Sequence, residues 1–197
     1  MKRIEAIYRE ILYNAIENKK FSLTQSEISK KLGISLSLVN LAVKKLNSLG
    51  AVDVLQRNFK VRDIKKIIYY WASIRNLEKD IILMERIEMS VRDIERNMPN
   101  LFYTAYTSYK LKFDDVPADY SEVYVYANDE ELIRIKKRFK IKDSIKNIKP
   151  NLFVLRKDKL IDLYKKIPVA QVFVDLWNLK EWYAKEFINS FEKRMNL

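Results

Sequence analysis

Asp114 and Asp115, followed by Asp119, put three carboxylates into one short segment. Hard divalent cations take several oxygen ligands at once, so such a group could hold a metal for phosphoryl chemistry. The segment reads Asp114-Asp115-Val116-Pro117-Ala118-Asp119, however, and an acidic turn around the proline describes it equally well. No phosphate-cradling loop precedes it. Glycine occurs only at positions 33 and 50, and two isolated glycines cannot bring backbone close around an anion. Asp175 lies in an apolar run ending at Trp177, where a carboxylate calls for a buried partner before a substrate. Histidine and cysteine are absent, which removes the commonest general base, the commonest zinc ligand, thiolate nucleophiles and disulfides. These residues predict no catalytic site, no metal and no cofactor. Carboxylate-only phosphoryl transfer survives as an alternative, in which a nucleotide-acting enzyme is targeted by the N-terminal unit.

Charge points elsewhere. Lysine and arginine number 38 against 26 aspartate and glutamate, a net of +12 over 197 residues. An excess of that size favours a polyanion, because each neutralised phosphate releases condensed counterions. Residues 1–62 carry twelve basic and five acidic side chains, and residues 134–149 carry eight basic and one acidic. The second run could extend a DNA footprint, face an acidic partner, or be a solvated helix face. No apolar run reaches membrane-spanning length and no signal segment opens the chain, so no membrane partner and a cytoplasmic location are expected.

The elements that would carry the N-terminal charge are legible. Ile4, Ile7, Tyr8, Ile11, Leu12 and Ala15 give residues 3–17 one apolar stripe at helical spacing. Thr24-Gln25-Ser26-Glu27 is a capping box opening a second helix, with Ile28 and Leu32 inward. Gly33 can take the left-handed turn, Ile34 plugs it, and Ser35 can cap a third helix whose inner side is Val39, Ala42, Val43, Leu46 and Leu49. Gly50 ends that helix. Val52 and Val54, then Phe59 and Val61, alternate with polar residues around Gln56-Arg57-Asn58, which predicts a hairpin with a polar tip.

The run from Leu23-Thr24-Gln25-Ser26-Glu27-Ile28 through Lys31-Leu32-Gly33-Ile34-Ser35, then Val39, Val43-Lys44-Lys45-Leu46 and Leu49-Gly50-Ala51-Val52, resembles the winged helix-turn-helix of MarR-type regulators. The resemblance covers about a third of the chain. It implies a recognition helix over residues 36–49 in the major groove of double-stranded DNA, with the hairpin as a wing on the flanking backbone. The residues it would place at DNA are Thr24, Ser35, Ser37, Asn40, Leu41, Lys44 and Lys45, with Arg57, Lys60 and Arg62 on the wing. Leu36, Leu38 and Leu41 lie where polar base-reading residues would be expected. Leucine meets only a thymine methyl, so a winged helix serving as a protein-protein module stays open.

Beyond the wing, Ile64, Ile67, Ile68, Trp71 and Ile74, with Leu77 and Ile81, extend helical spacing over residues 63–83. That stripe predicts either a homodimer contact or packing against the C-terminal half. Ser90 caps a short helix ended by Pro99. Val123-Tyr124-Val125-Tyr126 and Leu152-Phe153-Val154-Leu155 read as strands, residues 130–139 as a helix, and residues 169–195 as mostly helical. Trp177, Trp182 and Tyr183 read as core or interface. The expected class is α+β: a winged helix-turn-helix over 1–62, a helical linker or dimerisation region over 63–99, and an effector or partner-binding domain over 100–197. The domain order, with Tyr103-Thr104-Ala105-Tyr106-Thr107-Ser108-Tyr109, Val123-Tyr124-Val125-Tyr126 and Gln171-Val172-Phe173-Val174-Asp175-Leu176-Trp177, also resembles archaeal relatives of the AbiEi antitoxin regulators. That resemblance implies a repressor of its own operon paired with a nucleotidyltransferase-type toxin.

Overall fold

The computed structural model describes residues 1–141 and 149–196. The N-terminal unit begins with α1 (Arg3–Ile16), followed by β1 (Ser22–Leu23), α2 (Gln25–Leu32), α3 (Leu36–Ser48), β2 (Val52–Val54) and β3 (Phe59–Val61). The strands form one antiparallel sheet in the order β1-β3-β2, with Val52 opposite Val61 and Leu23 opposite Phe59. β1 is too short to show the alternation that marks a strand in sequence. It is held by its partner, and the Val61 N–H donates to the Phe21 carbonyl beside it at 2.8 Å. α1 departs from the one-stripe expectation. Its apolar side is buried, but so are Glu5, Arg9 and Glu10 on the other side, because a second body of protein covers them.

That body starts with α4 (Ile64–Ile74), capped by the Asp63 carboxylate, which accepts from the Lys66 N–H at 2.8 Å. The helix ends at Ile74, where Arg75 is extended, and a 3-10 turn at Glu78–Asp80 leads into β4 (Ile81–Glu85). Leu77 and Ile81 therefore do not continue the helical stripe. The short apolar run at residues 81–83 has no decisive period of its own, and pairing with a distant strand makes it β. Ile67, Ile68 and Trp71 have no solvent exposure, and α4 packs on α1 and on a C-terminal helix of this same chain.

The remaining elements are α5 (Val91–Asn97), β5 (Phe102–Thr104), α6 (Ala105–Phe113), β6 (Val123–Ala127), α7 (Asp129–Arg138), β7 (Leu152–Arg156), α8 (Val169–Trp177) and α9 (Ala184–Met195). A mixed sheet runs β4-β7-β6-β5, with β6 and β7 parallel and the outer pairs antiparallel. Period-two alternation divides its faces. Tyr124, Tyr126 and Leu155 join the large core containing α1, α4, α6, α8 and α9. Val123, Val125, Ala127, Leu152 and Val154 join a smaller core with Ile94 and Ile135. The architecture is α+β, and the large core runs without a break from the winged-helix unit into the C-terminal half. Of the basic run at 134–149, residues 142–148 lie outside the described residues.

Asp175 is a paired buried acid. Its carboxylate accepts from Thr104 Oγ1 at 2.7 Å, the Tyr126 hydroxyl at 2.6 Å and Arg75 Nε at 3.4 Å, and Gln171 Nε2 lies 3.2 Å away. Arg75 also bonds Asp80 at 2.5 Å. Burial, reinforced by the Asp175 charge, holds the Tyr126 hydroxyl far above its ordinary pKa, so it stays a donor. Removing one partner from such a network leaves an uncompensated charge in the core. Asp175→Ala should therefore cost about 3–5 kcal/mol of stability by urea denaturation. The shared core makes unfolding one cooperative transition for both halves. Two resolved transitions would contradict this.

Candidate nucleic-acid interface

The helix-turn-helix is set by its termini. Thr24 Oγ1 accepts from the Glu27 N–H at 3.1 Å, while Glu27 accepts from the Thr24 N–H at 3.2 Å, closing the capping box. The Thr24 amide holds Glu27 below the ordinary carboxylate range. Gly33 stands at φ 60°, a left-handed position where a side chain would be strained. The Ile34 N–H then returns to the Ser29 carbonyl at 3.2 Å, and Ser29 Oγ donates to the Ile34 carbonyl at 2.7 Å. Ile34 is buried beneath the turn. Ser35 Oγ accepts from the Leu38 N–H at 3.4 Å and starts α3.

One side of α3 is used up in the core: Val39, Ala42, Val43 and Leu46 have no solvent exposure. The opposite side carries Leu36, Ser37, Asn40, Leu41 and Lys44, with Leu36 53% and Leu41 58% exposed. Asn40 is half-buried, and its Nδ2 donates to Gln25 Oε1 at 3.1 Å. The two carboxamides therefore form one unit bridging α3 to the start of α2. Gln25 escaped the sequence reading, since a contact across 15 residues has no helical spacing to announce it. The pair leaves the Asn40 carbonyl and the Gln25 amino group, an acceptor and a donor, unused by each other.

The expected DNA-facing residues divide into two groups. Ser37, Leu41, Lys44, Arg57 and Lys60 are exposed, with Ser37 only 3.2 Å from the Ser35 hydroxyl. The rest are engaged within the protein. The Thr24 and Ser35 hydroxyls cap helices, and Lys45 Nζ lies 5.5 Å from the Tyr70 ring centre on α4. Arg62 is hydrogen-bonded to Asp53 across the hairpin. That last pair is half-exposed on both sides, so water already screens it and a phosphate can compete for the arginine. Arg57 occupies the tip of the wing with its side chain in solvent.

The acidic segment is arranged differently from a metal centre. Asp114 closes α6 in the left-handed region at φ 50°, and Asp115 pairs with Arg194 at 2.7 Å. Among the described residues, no group of three or more His, Cys, Asp or Glu is placed to hold a metal ion. No described helix is long and apolar enough to cross a membrane.

Residues 7–53 match a family described as winged helix-turn-helix DNA-binding, a span running from inside α1 into β2. No curated protein and no solved structure matches the chain. The N-terminal unit is thus a winged helix-turn-helix of the DNA-binding kind.

Two substitutions separate reading from holding. Asn40→Ala should cost about 1–3 kcal/mol on a preferred duplex and little on random sequence, because the free Asn40 carbonyl and the second Nδ2 hydrogen, the one not given to Gln25, match the adenine edge. Arg57→Ala should weaken all duplexes alike and reduce the salt slope by about one unit. Fluorescence anisotropy at two salt concentrations reads both, and unchanged affinity in both variants would contradict this orientation.

Proposed function

We propose that the protein is a transcription regulator that lays α3 in the major groove and the β2–β3 wing on the adjacent backbone, acting as a homodimer. The observation that carries this is the division of α3. Its inner side is completely packed, and its outer side offers Asn40, Leu41 and Lys44 between further exposed cations on the wing. Residues 1–62 hold twelve basic against five acidic side chains, which supports a polyanionic partner over a neutral protein surface. With two exposed leucines on the reading side, thymine methyls and groove shape would carry much of the specificity.

Dimerism follows from operator logic, since one short helix reads few base pairs and a two-fold site doubles the contact. The α4 stripe is consumed inside the chain, so the dimer contact in this proposal lies elsewhere. The C-terminal half in this reading senses or binds a partner and turns over no substrate. Its domain order supports a role as the antitoxin of an autoregulated pair with a nucleotidyltransferase-type toxin.

Titration of duplex DNA across salt concentrations tests the central point. Lys44, Arg57 and Lys60 on each of two protomers give about six phosphate contacts, hence a log–log slope of about −5. A slope near zero, or no binding at low salt, would refute the reading. Analytical ultracentrifugation should show a dimer on DNA, and a single protomer per operator would refute that part.

A further inference from the structure

Away from the winged helix, a cleft of about 830 Å³ opens between α6, the start of β5 and the segment leading into α8. Its volume lies in the range of small-ligand sites. Lys112, Lys165 and Lys166 line it, and none of the three forms an ion pair within 4 Å among the described residues. Three unpaired ammonium groups around one concavity repel one another and gain most from an anion between them. Burial lowers the Lys112 pKa, and Lys166 adds to that lowering against the pull of Glu17. A fourth lysine, Lys157, is already spent: it bonds Glu131 at 3.2 Å and Asp162 at 2.7 Å and lies over the Phe102 ring. The remaining wall is mixed: Leu101, Phe102, Leu111 and Ile167 are apolar, while Asn100, Ser108 and Glu131 are polar, the Glu131 carboxylate being held by Lys157. A bare inorganic ion would leave that wall unused.

The segment that lines the cleft at Lys165–Ile167 leads directly to a contact with the winged-helix unit. Glu17, which ends α1, accepts from the Val169 N–H at 2.7 Å with one carboxylate oxygen, while its other oxygen is buried without a hydrogen-bond partner. Burial raises the pKa of Glu17, and Lys112 opposes that rise by favouring the charged form. The segment 165–167 that lines the cleft thus runs directly into the backbone N–H that holds this carboxylate at the joint of α1 with α8.

We infer that this cleft binds a nucleotide, its phosphates among Lys112, Lys165 and Lys166 and its ring system against the apolar residues, and that occupancy alters DNA binding through the Val169–Glu17 hydrogen bond, three residues beyond Lys166. The inference rests on the DNA-binding reading only in its last clause. A phosphate group held by Lys165 and Lys166 draws on the segment that carries the Val169 N–H, which shifts the balance at the α1–α8 joint.

Isothermal titration calorimetry on the full chain without DNA, using ATP, inorganic triphosphate and adenosine, tests the site. ATP should bind at least about tenfold more tightly than either fragment. Lys165→Ala/Lys166→Ala should weaken it by about tenfold or more, the scale of one or two charge-assisted hydrogen bonds. Lys79→Ala/Lys185→Ala, which removes the same charge elsewhere on the surface, should leave it unchanged, with circular dichroism confirming that both variants fold. Saturating ATP should change the affinity of wild type for duplex DNA and not that of Lys165→Ala/Lys166→Ala. No ATP binding, equal binding of triphosphate, or equal binding by the two double variants would overturn the site. Cleft variants that lose DNA affinity while ATP fails to bind would assign the cleft to DNA instead. Bound ATP with no effect on DNA affinity would overturn the coupling. A wild type that binds ATP but no DNA would refute the DNA-binding reading and leave the calorimetric result standing.

Discussion

Arg9 has no solvent exposure, although it belongs to the first helix of a winged-helix unit and carries a full charge. Its guanidinium bonds both oxygens of Asp158 at 2.8 Å, approaches Gln171 Oε1 at 3.4 Å, and lies 5.3 Å from the Tyr164 ring centre. All of these partners come from the C-terminal half. A buried guanidinium stripped of its carboxylate costs about 3–5 kcal/mol, comparable to much of a domain's net stability. Arg75 is a second buried guanidinium, held by Asp80 and Asp175 within the C-terminal half and reaching Glu5 of α1 across the joint at 3.7 Å. Apolar side chains of similar volume could fill the same space at little loss, so the ion pairs specify one docking of the two halves.

That docking decides how α3 is presented. α1 is shared between the winged helix and the C-terminal core, and its own Glu10 accepts from the Tyr164 hydroxyl at 2.7 Å. The same carboxylate binds Lys31 of α2 at 2.8 Å, so the helix before the recognition helix is tied into the same network. Apolar packing under α3 and the Asn40–Gln25 bond complete the frame. The base of the wing is fixed by β1 and by burial of Val52, Phe59 and Val61, while its tip carries Arg57 in solvent. A packed reading helix beside a basic wing tip suits a site where specificity comes from the groove and affinity from the backbone.

The parts visible in the sequence are those whose causes lie within a few residues. The Thr24–Glu27 box, the Gly33 turn, the Ser35 and Ser90 caps and the hairpin around Arg57 all depend on neighbours in the chain. The parts missed depend on distant ones. Residues 81–83 continue a helical spacing and acquire strand geometry only from β7, and β1 exists only because β3 lies beside it. Arg9 and Asp158 are 149 positions apart, and Arg75 and Asp175 are 100 apart, so nothing local marks either arginine as buried. The apolar stripe of α4 marks a face needing cover, but two candidate covers carry the same pattern, and only the fold shows that the cover is α1 and α8.

Dimethyl sulfate footprinting on a duplex recovered by selection tests the central claim most directly, because guanine N7 faces the major groove and adenine N3 the minor groove. A docked α3 predicts guanine N7 protection within each half-site, removed by denaturing the protein. Full guanine reactivity in a saturated complex would show that α3 does not occupy the major groove.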